Sequence, residues 1–131
     1  MFDAPVYICV QNMAFRIVIG IDDIVRGTIL AAEKIDDGTA VNLGTMERVR
    51  VIDAVRMVLE YTGHKAEIVF RPDMPTGPLN RVADNSLARK LLGWEPQVPF
   101  REGLKRTIDW YFATKDREQV RKILGRMLTE R

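Results

Sequence analysis

The eleven residues 71–81, RPDMPTGPLNR, hold three prolines and a glycine. Each proline fixes φ and removes a backbone donor, so this stretch can extend neither a helix nor a central strand. It divides the chain into two kinds of sequence. Before it the pattern alternates strand, helix, strand, helix, strand; after it come three helices. A loop of this length in a compact domain is characteristically functional or disordered.

Local signals place the elements. PVYICV reads as a strand whose register nothing downstream fixes, and FRIVIGI, residues 15–21, as a clearer one, rich in β-branched residues. Asp22 and Asp23 stand where a helix cap and first-turn acids belong, and the helix is expected to run to about Lys34. Its apolar stripe would be Ile21, Val25, Ile29 and Ala32. A turn at IDDGT leads to a short strand at AVNL. The second helix, 51–62, carries Ile52, Val55, Leu59 and Thr62 on one side and ends at Gly63, a residue suited to a left-handed C′ position. AEIVF is the next strand. Beyond the loop, Asp84, Asn85 or Ser86 can cap a helix through Leu92 that Gly93 closes. WEPQVPF is an extended link. A helix at about 100–112 has Leu104, Thr107, Ile108 and Tyr111 on one stripe. Asp116 can cap a last helix, with Val120, Ile123, Leu124, Met127 and Leu128 on its apolar side.

Chemistry is constrained mainly by what these residues cannot build. The nine glycines stand at 20, 27, 38, 44, 63, 77, 93, 103 and 125, and no two are closer than six residues. Dinucleotide phosphates need backbone to approach closely at clustered glycines, so the chain has no such loop. The stretch YTGHK does present Tyr61 and Lys65 at the Y-x-x-x-K spacing of a proton-transfer pair. A working pair must share one continuous helix face, and Gly63 interrupts it. His64, the only histidine, is expected as an exposed turn residue. With one histidine and one cysteine there is no zinc set of those ligands. Cys9 reads as a small buried hydrophobe, and Ser86 as a capping residue rather than a nucleophile. The adjacent acids Asp22-Asp23 and Asp36-Asp37 diverge and suit caps and turns. Catalytic residues and metal ligands are therefore expected to be absent.

In bulk the 131 residues fit one domain, 47% hydrophobic and 29% charged, as in an ordinary globular protein. A single cysteine suits a reducing compartment. No apolar run approaches the ~20 residues of a membrane span, and no signal peptide is visible, so the expectation is cytoplasmic and without a membrane partner. From Lys115 onward six basic residues face three acidic ones, which leaves −1 of the net +2 for the rest. A solvated helix face explains that bias better than nucleic-acid contact.

Three segments in order resemble one family. RIVIGIDDIVRGTILAAEK is similar to the strand and helix of extended short-chain dehydrogenases/reductases acting on nucleoside-diphosphate sugars. AVNLGT is similar to their Y-N-L-G-x-G strand. RVADNSLARKLLGWEPQVPFREGLKRTIDWY is similar to their D-x-S-K-A-x-x-L-G-W-x-P ending and its G-L-x-x-T-x-x-W-Y continuation. The resemblance spans about 16–111 and names the NAD-dependent sugar-nucleotide epimerases and 4,6-dehydratases. Gly20 stands where an aromatic is usual, and Met46 replaces a glycine.

The resemblance implies the substrate-binding half of such an enzyme, with the Rossmann half and its catalytic residues lying outside the match. It implies a small α+β subdomain of α/β ancestry, with short strands, about five helices and a helical C-terminal part, without a complete Rossmann fold. Residues 1–15 match poorly, 16–113 form the substrate domain, and 114–131 an amphipathic basic helix. A diphosphate suits guanidinium forks. By resemblance Arg16 and Arg71 are the phosphate ligands, Asp73 a ribose or base acceptor, and Arg81 a weaker candidate. The family acid usually stands one residue after Asp73, where this chain has Met74. Asn42 and Asp84 hold turns and caps, while Trp94, Trp110 and Tyr111 are expected in the core. No cofactor is expected on this chain, although the intact family uses NAD to oxidise C4 of the sugar. Expected partners are a nucleoside-diphosphate sugar and a second copy or a separate Rossmann chain. The alternatives are an interaction module and a helical hairpin that binds nucleic acid.

Overall fold

The computed structural model describes residues 6–8, 15–16, 20–70 and 81–129. In chain order its elements are β1 (Val6–Ile8), β2 (Phe15–Arg16), α1 (Ile21–Lys34), β3 (Val49–Arg50), α2 (Val51–Thr62), β4 (Ile68–Phe70), α3 (Ser86–Leu92), α4 (Phe100–Thr114) and α5 (Arg117–Thr129). The strands pair only two by two. β1 runs parallel to β4, with Val6 beside Ile68, and β2 runs antiparallel to β3, with Arg16 opposite Val49. This is the small α+β arrangement expected, with five helices and no broad sheet among the described residues.

The helix stops fall where glycine allows them. Gly63 and Gly93 both adopt φ of 65°, the left-handed region that a side chain disfavours, and end α2 and α3. At the start of α5 the Asp116 carboxylate accepts the Gln119 amide at 2.7 Å, as a capping residue should. Asp84 accepts the Ser86 amide and hydroxyl in the turn that opens α3. The α4 N-terminus has no side-chain cap from its own N-cap residue, Pro99. The Glu47 carboxylate supplies one from a distant loop, accepting the Phe100 amide at 3.2 Å.

The core is small and sits between α1, α3 and the link that follows α3. Ala88, Leu92 and Trp94 are fully buried, with Leu30, Ala31, Ile35, Val41 and Leu43 packed against them. Trp94 contributes most of the area, and its indole N–H donates to the Asp23 carbonyl at 3.1 Å. α2 rests on α4, where the Tyr61 hydroxyl donates to Asp109 and Arg101 pairs with Glu60.

Several expectations are corrected. The strand at 15–21 shrinks to two residues; 17–19 lie outside those described, and Ile21 already opens α1. AVNL forms no strand, because no neighbouring strand among the described residues is there to complete its hydrogen bonds. Neither Asp22 nor Asp23 caps α1. Gly20 holds that position, its carbonyl accepting from the Asp23 and Ile24 amides. The stripe read for α1 faces outward: Ile21, Val25 and Ile29 are 71%, 49% and 53% exposed. The inner face is instead Asp23, Gly27, Leu30 and Ala31, with Gly27 where only a residue without a side chain fits under Trp94. Trp94 is core as expected, but Trp110 and Tyr111 are exposed on α4, where nothing described covers them. His64 is half-buried, its amide donating to the Thr62 hydroxyl at 3.3 Å. The predicted end of the fourth helix moves from 112 to Thr114.

Asp23 fastens α1 to the link before α4. Its carboxylate accepts the amides of Gln97 and Val98 at 2.9 Å each and the Arg26 guanidinium at 2.8 Å. Burial alone would raise this carboxyl; the Val98 amide, Arg26 and the Gln97 amide together outweigh it and hold the group below the ordinary aspartate value. A depressed carboxylate stabilises the fold above its unfolded pKa of about 3.9, and the contribution is lost as pH falls through the folded value. Asp23→Asn is expected to cost about 1–3 kcal/mol at pH 7. In urea melts the gap to wild type should narrow at pH 3; a gap unchanged between the two pH values would contradict the clamp. Gly27→Ala tests the packing beside it. An added Cβ would lie 2.7 Å from a Leu43 methyl and 2.8 Å from the Trp94 nitrogen, so despite the better helix former we expect a loss of about 1–3 kcal/mol. A stabilised variant would show that α1 has room to move.

Candidate functional site

Of the residues that the family resemblance marks out, Arg16 falls at a strand position. Arg16 lies in β2, held in register by its pairing with Val49, which is buried. Phe70 is the last residue of β4, so Arg71 follows directly where that strand ends. Arg71 and Asp73 themselves lie outside the described residues. Arg81 is described and exposed at the far end of the same loop. Of the four candidates it is the one whose side-chain environment is defined.

The ground between these positions is organised by polar contacts that the sequence did not announce. Asn85, buried just before α3, donates its amide to the Gly44 carbonyl and so ties the loop after AVNL to the start of that helix. Its carbonyl oxygen is buried with no hydrogen-bond partner among the described residues. On β3 and α2, Arg50 grips Asp53 through two hydrogen bonds, one of them 2.9 Å. That bond raises the guanidinium's already high pKa and lowers the carboxyl's. Arg50 is thereby committed to a carboxylate one turn away, although it stands beside the strand that carries Arg16.

YTGHK is settled by geometry. Tyr61 belongs to the last turn of α2 and its hydroxyl donates to both oxygens of Asp109, at 2.8 and 2.9 Å. The ammonium over its ring is that of Lys105, 5.3 Å from the centroid, and not that of Lys65. Lys65 is exposed beyond the left-handed Gly63. The hydrogen bond to Asp109 pushes the phenol's pKa above the ordinary tyrosine value, with partial burial and the charges of Asp109 and Glu102 adding to it. A tyrosine that works as a base needs the opposite shift. Among the described residues no group of three or more His, Cys, Asp or Glu is placed to hold a metal ion, and no helix is long and apolar enough to cross a membrane.

The feature that sequence reasoning missed is a groove of about 810 Å³ between the N-terminus of α1 and α4. Ile21, Val98, Phe100, Leu104 and Trp110 line it, and Gly20 and Gly103 form its closest approach. Its lining is mostly apolar, and an exposed ion pair, Arg106 with Asp22 at 3.6 Å, spans it. Its lining comes from α1, the link before α4 and α4 itself, so no single stretch of sequence carries its pattern.

No family model matches the chain. Comparison with curated proteins finds UDP-glucuronic acid decarboxylase 1 of Xenopus tropicalis, 34% identical over 101 residues, which cover 77% of this chain and 23% of that protein. Among solved structures, an epimerase from Methanothermobacter thermautotrophicus matches with a TM-score of 0.81 and 32% identity, over 92% of this chain and 36% of its own. The UDP-glucuronic acid 4-epimerase of Bacillus cereus, in complex with UDP-glucuronic acid and NAD, matches with a TM-score of 0.76 and 30% identity, over 86% of this chain and 37% of that one. The chain thus spans about a quarter of the curated relative and little more than a third of either solved one.

The Tyr61 arrangement gives a direct check. Absorbance titration into alkali is expected to show one of the three tyrosines ionising above the usual value of about 10 and returning toward it in Asp109→Asn. A phenol that titrates below the usual value would reopen the proton-transfer reading.

Proposed function

We propose that this chain, related in sequence and fold to a C-terminal portion of the extended short-chain dehydrogenases/reductases that act on nucleoside-diphosphate sugars, forms the sugar-nucleotide-binding part of such an enzyme. The observation that carries the proposal is the conjunction of both likenesses over most of the chain, at 86% coverage with a relative solved with UDP-glucuronic acid and NAD bound. Arg16 and Arg71 would grip the diphosphate through paired, charge-assisted hydrogen bonds, Asp73 would accept from ribose or base, and Arg81 would add a further positive charge at the loop's end. Epimerases and a decarboxylase stand together among the relatives, so the shared element is recognition of the nucleotide diphosphate and not one reaction.

Alone, the chain would bind and not turn over. NAD does not fit the residues present: no two glycines are closer than six residues, which leaves no phosphate-cradling loop, and Tyr61 is tied to Asp109. The chain's own part is to hold the diphosphate in place, while hydride and proton transfer belong to a dinucleotide-binding half on the same or another chain.

Calorimetric titration with UDP, GDP and dTDP sugars, alongside NAD+, tests the proposal. One sugar nucleotide should bind without NAD+, and Arg71→Ala should weaken it by roughly ten- to a hundredfold, the worth of about 1.5–3 kcal/mol for hydrogen bonds to a charged group. Binding of NAD+ by this chain, or sugar-nucleotide binding indifferent to both Arg71→Ala and Arg16→Ala, would overturn it.

A further inference from the structure

We infer that α5 docks on an anionic lipid surface, lying in its plane with the apolar row toward the acyl chains and the basic residues among the head groups. The expectation of no membrane partner rested on the want of a spanning segment, and a helix that lies on a membrane needs none.

α5 is a helix with its own start. The Asp116 carboxylate accepts the Gln119 amide at 2.7 Å, and the Asp116 carbonyl accepts the Val120 amide at 3.0 Å. The helix runs over Arg117–Thr129, beyond the residues 16–111 that carry the family resemblance. Its apolar residues stand at 120, 123, 124, 127 and 128, the i, i+3, i+4, i+7, i+8 spacing of one helix side. That side is not spent on the core. Among the described residues, none of those packed on Ala88, Leu92 and Trp94 belongs to α5. Along 117–123 every residue is exposed except the half-buried Val120, and Ile123 is 44% exposed. Phe112, just before the connection to α5, is 69% exposed. It stands two residues and therefore about 200° round α4 from Trp110, away from the groove that Trp110 lines.

Charge identifies the occupant. From Lys115 to Arg131 six bases stand against three acids, a net +3 that leaves −1 for the rest of the chain. A second copy would set +3 against +3. Nucleic acid would satisfy the charge and leave the apolar row in water, while an uncharged apolar partner would do the reverse. An anionic bilayer surface takes both together, since Val120 and Ile123 enter the acyl boundary while the cations meet the head groups. Arg121, about 100° round from Val120 at the edge of the row, has the apolar stem and charged tip that such a boundary suits.

Vesicle flotation of the purified full chain tests this. One set of vesicles is phosphatidylcholine alone, and the other is phosphatidylcholine and phosphatidylglycerol in equal parts. The chain is expected to float with the second set and not the first, and to be released as salt rises. Ile123→Asp and Lys122→Glu, both at exposed positions, should each weaken partitioning at least about tenfold, with lipid-free thermal melts close to wild type. Lys65→Glu makes the same charge change at an exposed cation outside α5 and should leave partitioning within about twofold. Should Ile123→Asp unfold, Ile123→Ser removes the apolar side chain without adding charge. Equal flotation with neutral vesicles, no flotation, or flotation indifferent to the Ile123 variants overturns the inference. So does a loss in Lys65→Glu as large as that in Lys122→Glu, which would mean diffuse charge attraction. A DNA duplex bound in place of vesicles, and released by Lys122→Glu but not by Ile123→Asp, would assign α5 to nucleic acid instead. A light-scattering dimer that Ile123→Asp disperses, in the absence of flotation, would assign it to a second copy.

Discussion

The Asp23 carboxylate joins α1 to the link before α4, beside the hydrophobic packing of Leu30 and Ala31 on Ala88, Leu92 and Trp94. It lies in the first turn of α1, yet its partners are the amides of Gln97 and Val98, about seventy residues away, and its backbone carbonyl takes the indole hydrogen of Trp94. Arg26 closes the arrangement, bonding Asp23 and the Glu95 carbonyl while its guanidinium lies 5.9 Å from the Trp94 ring centroid. One buried charge thus fixes the helix, the aromatic core and the link that aims α4. A buried carboxylate is costly unless its oxygens are filled, and here backbone donors fill them. Because the partners are backbone groups, the clamp constrains the path of the link and not the identity of its residues.

This is also where local reading of the sequence reached its limit. Gly63 and Gly93 were legible because the φ they need is a property of single residues. The extents of α1, α2 and α3 were legible for a related reason: capping and period act within a few positions. Asp23 was not, since its position in the first turn suggests a favourable interaction with the helix dipole, and its true partners are remote in sequence. Glu47 at the start of α4 and Asn85 at Gly44 escaped in the same way. Periodicity found the apolar row of α1 but could not give its direction. It assigned the row to the core because covering is the ordinary fate of such a face, whereas Gly27 had already been claimed by Trp94 and Leu43.

The candidate site divides along a similar line. That Tyr61 and Lys65 are no catalytic pair follows from one glycine between them, and the bond to Asp109 agrees. The reading of Arg16, Arg71 and Asp73 as ligands rests on resemblance alone, because no local rule separates a phosphate-binding arginine from one in a surface ion pair. Arg50 shows why: one residue from the buried Val49, it is spent on Asp53. A guanidinium's role depends on which anion reaches it first, and proximity in the chain usually decides that in favour of a carboxylate one turn away.

The exposed row, the unpaired AVNL segment and the open groove share a cause. Each is a stretch whose residue pattern suits a buried face or a strand and which the described residues leave uncovered or unpaired. AVNL keeps the composition of a strand but has no ladder neighbour among the described residues. The outer row of α1 keeps the spacing of a core face and remains in solvent. Trp110 and Phe112, 55% and 69% exposed, do the same on α4. AVNL nevertheless contributes Val41 and Leu43 to the packing around Ala88, Leu92 and Trp94. Spacing alone thus places apolar residues on one side of a helix, and only the packing of Gly27 under Trp94 decides which side is buried.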